Sequence, residues 1–186
     1  MESFLFYTLV EKDFAARHQR VVGFFSKEKV SWDDYNLACI LVFPPYQRKG
    51  LGKLLISFSY ELSRMNRKMG SPEKRIIHPL LRLFCFSCLP CYWLALSDLG
   101  HKGYVAYWCS SIAKAIIQLG KDSVSINEIS KATYIQPEDI RFALDCMGIL
   151  VPDVEGGAPH VRLDKWKRGK IDEAYAINPK CIVTRA

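Results

Sequence analysis

This sequence of 186 residues predicts a mixed α/β (α+β) fold, with antiparallel strands feeding a helix, followed by a winged-helix-like appendage. Three observations carry that expectation. An apolar run of strand length at residues 38–43 passes through a glycine-bearing loop into a segment with helical periodicity. A second apolar segment at 107–119 repeats at helical spacing and stops at Gly120. Beyond it stand two short helix signatures and two hairpin-like runs.

In chain order, residues 4–10 and 21–25 read as strands around a polar connection. A turn at Trp32-Asp33-Asp34 leads into a single strand over 36–43, which the Pro44-Pro45 pair ends. Residues 53–69 then set Leu54, Phe58, Leu62 and Met65 on one helical face. Residues 107–119 do the same with Trp108, Ile112, Ala115, Ile116 and Leu119. Ser125 and Glu128 form a capping box that starts a short helix. Pro137, whose fixed φ suits a first helical position, opens another through Ile140, Phe142 and Leu144, and Gly148 closes it. Residues 149–151 and 160–163 are the arms of a hairpin. The expected division is a core at 1–120 and a winged-helix-like region at 121–186.

Composition narrows the function classes. A net charge of +7 and a pI near 9.0 favour polyanionic partners. Glu2 stands where a secretory leader would carry lysines, so the seven cysteines read as thiols. The one long apolar stretch, 76–96, contains His78, Pro79, Arg82 and Pro90, which argues against a membrane span. Within it CFSCLPC places Cys85, Cys88 and Cys91 at two-residue gaps. A closed metal site needs a fourth ligand, and no His or Cys pair stands at suitable spacing elsewhere, so no metal is expected.

The loop between the strand and the first helix carries the chemistry. Gly50 and Gly52 let the backbone turn tightly and approach a ligand, while amides at a helix start point at an anion. A P-loop is excluded because Leu54 follows Lys53 where Ser or Thr is required. A dinucleotide fingerprint is excluded by Leu55, where a small residue is needed, and by the Pro-Pro break.

What remains, QRKGLGK at 47–53, is similar to the acyl-coenzyme-A loop of GNAT-like N-acetyltransferases. It stands in one order with FLFY (4–7), FSKEK (25–29), FSYELS (58–63), GSPEK (70–74), LSDLG (96–100), Tyr104 and Tyr107-Trp108. Together these blocks resemble the MYST family of histone lysine acetyltransferases, over about 4–74 and 96–148. The resemblance implies a GNAT-like acyl-CoA N-acyltransferase core, partial in this chain, within 1–120. It also implies acetyl-CoA as cosubstrate, histone tails of the nucleosome as substrate, partner subunits in an acetyltransferase complex, and a nuclear location.

It implies site residues as well. Lysine's ordinary pKa of about 10.4 leaves roughly one molecule in a few thousand neutral at pH 7, so transfer to its amine needs a base. By resemblance the base is Glu73. Cys39, read as lying mid-strand among apolar residues, would face the acetyl group. Either the amine attacks directly or an acetyl-cysteine forms first, and direct attack is favoured because an apolar setting slows ionisation of a thiol. Backbone groups of Ile40, Leu41 and Val42 would pair with the pantetheine arm. Gln47, Arg48, Lys49, Gly50, Leu51, Gly52 and Lys53 would hold the diphosphate, and Ser97 would touch the coenzyme.

The resemblance breaks in two places. Residues 75–95 intervene between GSPEK and LSDLG as a hydrophobic insert, either a retained intron translated in frame or a lineage-specific loop. Before FLFY, the family's zinc finger and first strands are expected to be missing. Two further readings stay open: a catalytically impaired adaptor that binds chromatin or partner subunits, and direct DNA binding through the C-terminal region. Lys165, Lys167, Arg168 and Lys170 favour DNA binding, whereas Glu138, Asp139 and Asp145 weigh against it.

Overall fold

A computed structural model of the chain describes residues 3–13, 17–73, 97–121, 123–151 and 160–162. Strand β1 (Phe4–Asp13) pairs antiparallel with β2 (His18–Glu28), with a register shift between Leu9 and Val10. On the other side of β2 lies β4 (Ile40–Val42), which gives the order β1-β2-β4. The two-residue alternation of strands turns Tyr7, Leu9, Phe25 and Val42 toward helix α1 (Leu51–Met65). There they pack with Leu55, Phe58 and Leu62, and the Tyr7 and Phe25 rings stack at 4.7 Å.

The single strand expected over 36–43 is two. Strand β3 (Tyr35–Leu37) pairs in parallel with β5 (Ser71–Pro72), and β4 pairs with β2. Ser26 makes the break. Its carbonyl accepts from the Ala38 N–H at 2.8 Å, its own N–H donates to the Cys39 carbonyl at 2.8 Å, and its Oγ accepts from the Cys39 N–H at 3.2 Å. An apolar run records burial but not which neighbour is paired, so the change of partner left no mark in the hydropathy.

Helix α1 stops at Met65, short of the expected residue 69, because Arg67 adopts a left-handed φ of 54°. Helix α2 (Asp98–Leu119) begins nine residues before the expected start: Ser97 caps it by accepting from the Gly100 N–H at 3.2 Å. Its first turns carry Gly100, Lys102 and Gly103, which hide the period. Strand β6 (Ser123–Ser125), α3 (Ile126–Thr133), α4 (Pro137–Cys146), β7 (Leu150–Val151) and β8 (His160–Arg162) follow. The three strands form an antiparallel sheet in the order β6-β8-β7, so two helices and a small sheet make the winged-helix-like unit. Both halves of the Ser125/Glu128 capping box are present, and Gly148 takes a left-handed φ of 67° past the end of α4.

One apolar cluster crosses residue 120. It joins Ile56 and Tyr60 of α1 to Tyr104, Trp108, Ile112 and Ile116 of α2, and continues into Ile129, Ile140 and Leu144. Trp108 is fully buried, and its indole N–H donates to the Tyr60 hydroxyl at 2.8 Å, which satisfies the one polar atom that would otherwise be costly there. Among the described residues no helix is long and apolar enough to cross a membrane. The 75–95 insert with its three cysteines, and the basic run from Lys165 to Lys170, lie outside the described residues.

Candidate active site

The loop after β4 is tied down at several points. Phe43 donates its N–H to the Val22 carbonyl at 3.0 Å, and a 3₁₀ turn at Pro44–Tyr46 follows. Gln47 reaches back so that its Nε2 donates to the Val42 carbonyl at 2.9 Å. The ammonium of Lys49 sits 5.6 Å from the centroid of the Tyr46 ring. Gln47 and Lys49 thus brace the loop.

Arg48 and Gly50 both take left-handed backbone angles, φ 61° and 78°. This pair of turns delivers the chain into α1 with Gly50 as N-cap, a position that glycine fills without a Cβ penalty. No side chain caps α1 and no acidic residue stands in its first turn. The first backbone bond is that from the Leu54 N–H to the Gly50 carbonyl at 3.1 Å, so the amides of Leu51, Gly52 and Lys53 precede the helical ladder. A Cβ built on Gly52 meets nothing within 4 Å. Open space above a helix N-terminus with cationic neighbours and no carboxylate fits the diphosphate of a coenzyme. Among the described residues β4 has β2 as its only neighbour in the sheet, so its other edge faces outward and can pair with an amide-bearing arm.

Glu73 is positioned from two sides. The parallel register sets Leu37 against Pro72, and the Glu73 N–H donates to the Leu37 carbonyl at 2.8 Å. This brings the base proposed by resemblance to the end of β3, two residues before Cys39. On the other side, the Gly70 N–H donates to the Tyr134 carbonyl at 2.8 Å, and the Gly70 carbonyl accepts from the Gln136 N–H at 3.2 Å. The GSPE segment therefore runs between β3 and the α3–α4 connection. Its side chain is exposed, as is Cys39. The expectation of Cys39 inside an apolar strand is corrected here: it sits in the break between β3 and β4, with its backbone bonded to Ser26 and its thiol at the surface.

Three positioning residues escaped the sequence reading. Ser26 holds the break. Gly70 has no room for a side chain: a Cβ there would lie 2.6 Å from Ser63 Oγ and 2.7 Å from Asn36 Nδ2. Asn36, buried, donates to Ser59 Oγ at 3.3 Å and so ties β3 to α1. Gly70 opens a quoted motif, and that was the available signal; buried Asn36 and Ser26 gave none. Ser97, expected to touch the coenzyme, uses its hydroxyl as the N-cap of α2. Among the described residues no group of three or more His, Cys, Asp or Glu is arranged to hold a metal ion.

Comparison with known proteins matches residues 1–182 to the MOZ/SAS family. The histone acetyltransferase MOF of Drosophila melanogaster is 42% identical over 189 residues, covering 95% of this chain and 20% of that protein. The Tip60 homolog of Caenorhabditis elegans, also a histone acetyltransferase, is 42% identical over 143 residues, covering 75% of this chain and 26% of that protein. The histone acetyltransferase esa1 of Aspergillus fumigatus is 41% identical over 150 residues, with 81% and 26% covered. The chain spans between 20% and 26% of the length of these curated relatives. A match over almost the whole sequence, on a fold that sets the glycine loop after β4 and the glutamate at the break between β3 and β4, assigns the chain: it belongs to the MOZ/SAS family.

Proposed function

We propose that this chain forms the coenzyme-binding and catalytic part of a histone lysine acetyltransferase, an acyltransferase that moves an acetyl group from acetyl-CoA to the ε-amine of a lysine in histone tails. The observation that carries the reading is the pinning of Glu73 to Leu37. It fixes the backbone of Glu73 at the end of β3, two residues before Cys39 and on the path that leads through β4 to the loop at the start of α1.

The amides from Gly50 to Lys53 hold the diphosphate, and the outer edge of Ile40, Leu41 and Val42 aligns the pantetheine arm. Bound coenzyme supplies an acetyl group activated as a thioester. Glu73 accepts the proton that the lysine amine must lose, directly or through a water, and its exposure leaves room for the incoming side chain. Cys39 stands two residues beyond the carbonyl that holds Glu73, and direct attack by the amine requires no covalent step on its exposed thiol. Carboxylate and main-chain amides account for this chemistry without a metal. Residues 1–120 form the core and 121–186 the winged-helix-like unit that flanks the substrate groove. We place the protein in the nucleus with partner subunits, consistent with its net charge of +7.

The test is Glu73→Gln, assayed with acetyl-CoA and a histone-tail peptide. Acetylation is expected to fall by a factor of about 10² to 10⁴ with coenzyme affinity unchanged. An unaltered rate removes Glu73 as the base. Cys39→Ser is expected to keep most of the activity, and recovery of an acetylated Cys39 peptide from the wild type would reverse the choice of mechanism.

A further inference from the structure

Residues 134–136, which join α3 to α4, contain two peptide planes, and each is held at one end by a side chain of α3 while its other end grips Gly70. In the Tyr134–Ile135 peptide the carbonyl accepts from the Gly70 N–H at 2.8 Å, and the N–H donates to Thr133 Oγ1 at 3.3 Å. In the Ile135–Gln136 peptide the N–H donates to the Gly70 carbonyl at 3.2 Å, and the carbonyl accepts from Ser130 Oγ at 2.6 Å. A peptide is planar, so fixing one polar end aims the other. Ser130, Thr133 and Ile135 are all buried, so water does not replace a lost partner there. Thr133 is set in turn by donating to the Ile129 carbonyl at 2.8 Å, and Tyr134, at a left-handed φ of 61°, donates its N–H to the Ser130 carbonyl at 2.8 Å.

Gly70 and Ile135 thereby form a parallel bridge on one side of the segment that leads to Glu73, and β3 pairs with β5 on the other. Ser63 and Asn36 crowd Gly70 so closely that a Cβ does not fit, which leaves the segment little room to shift. We propose that Ser130 and Thr133 are positioning residues for acetyl transfer: their hydroxyls orient the two peptides that hold Gly70, and so set where Glu73, three residues on, presents its carboxylate. This rests on the reading of Glu73 as the base, and it makes the winged-helix-like unit part of the frame of the site.

Steady-state kinetics on the full chain, with acetyl-CoA and a histone-tail peptide and below the melting temperature of every variant, tests it. Ser130→Ala and Thr133→Val are expected to lower kcat about tenfold or more with KM for acetyl-CoA unchanged, because a displaced base works poorly on a coenzyme that still binds. Thr133→Ser, which keeps the hydroxyl, restores most of the rate. Val124→Ala, which removes buried methyls from β6 of the same unit and leaves both hydroxyls in place, lowers stability but not kcat. In a Glu73→Gln background Ser130→Ala slows the reaction no further. Wild-type kcat in either Ser130→Ala or Thr133→Val overturns the positioning role and leaves Glu73 as the base. So does an equal fall in Val124→Ala, or a further fall in the Glu73→Gln background. A wild-type rate in Glu73→Gln, or a wild type that does not acetylate, overturns the base itself and the positioning role with it.

Discussion

The two faces of α1 are packed to different ends. Toward α2 and the C-terminal helices it contributes Ile56 and Tyr60 to a large cluster whose aromatic centre, Trp108 and Tyr104, is wholly enclosed. Toward the sheet it contributes Leu55 and Leu62 to a small one, in which Phe25 and Leu37 are the other fully covered residues, while Phe6 and Leu41 on the far side of the sheet stay 67% and 42% exposed. The helix is anchored through one face and carries the candidate coenzyme loop at its N-terminus, beside the thin sheet. Stability and reactivity are therefore separable by mutation.

The strongest break in that contrast is Trp108→Ala. It empties the enclosed centre and strands the Tyr60 hydroxyl, so it should cost about 3–5 kcal/mol, read as a fall in the denaturant midpoint. Gly70→Ala comes next. The added methyl meets Ser63 and Asn36, so a loss of about 1–3 kcal/mol is expected, with a lowered acetylation rate because Glu73 directly follows β5. If Gly70→Ala leaves both the melting temperature and the rate untouched, β5 is not clamped as described.

Gly52→Ala should do the reverse. With open space around it and a helical position, alanine is expected to raise stability by up to about 1 kcal/mol. Yet coenzyme affinity should fall roughly tenfold, because the methyl takes the space of the ligand. A Gly52→Ala protein that binds coenzyme as tightly as the wild type would separate that loop from the ligand. The smallest effect concerns the α3 cap. Glu128 is held down to about 2 by Lys121 and by the Ser125 N–H and hydroxyl. Its folded value lies below the ordinary one near 4.5, so its stabilisation is fully present above that value and is lost as pH falls toward about 2. Thermal midpoints of wild type and Glu128→Gln should therefore converge on acidification through that window.

Where local chemistry speaks, the fold was legible. The capping box at Ser125, Pro137 at a helix start and the glycine loop each follow from a side chain or φ acting on its own neighbours. What stayed hidden was pairing across distance. Residues 36–43 carry one hydropathy signal but serve two sheets, because Ser26 and Glu73, far apart in sequence, each bond to that segment. The catalytic candidate was legible only as a motif, whereas the hydrogen bond from Glu73 to Leu37 is a tertiary fact. Cys39 was misplaced for the same reason: nothing near it in sequence reveals the break that turns its thiol outward.

The bonds from Gly70 to Tyr134 and Gln136 have a further reach. They make the loop between α3 and α4 a mechanical neighbour of the segment that bears Glu73, so whatever grips those helices also has leverage on that proposed base. A protein that docks there could tune turnover without touching either substrate, and a lesion there would surface as slow chemistry in a chain that still melts at its usual temperature.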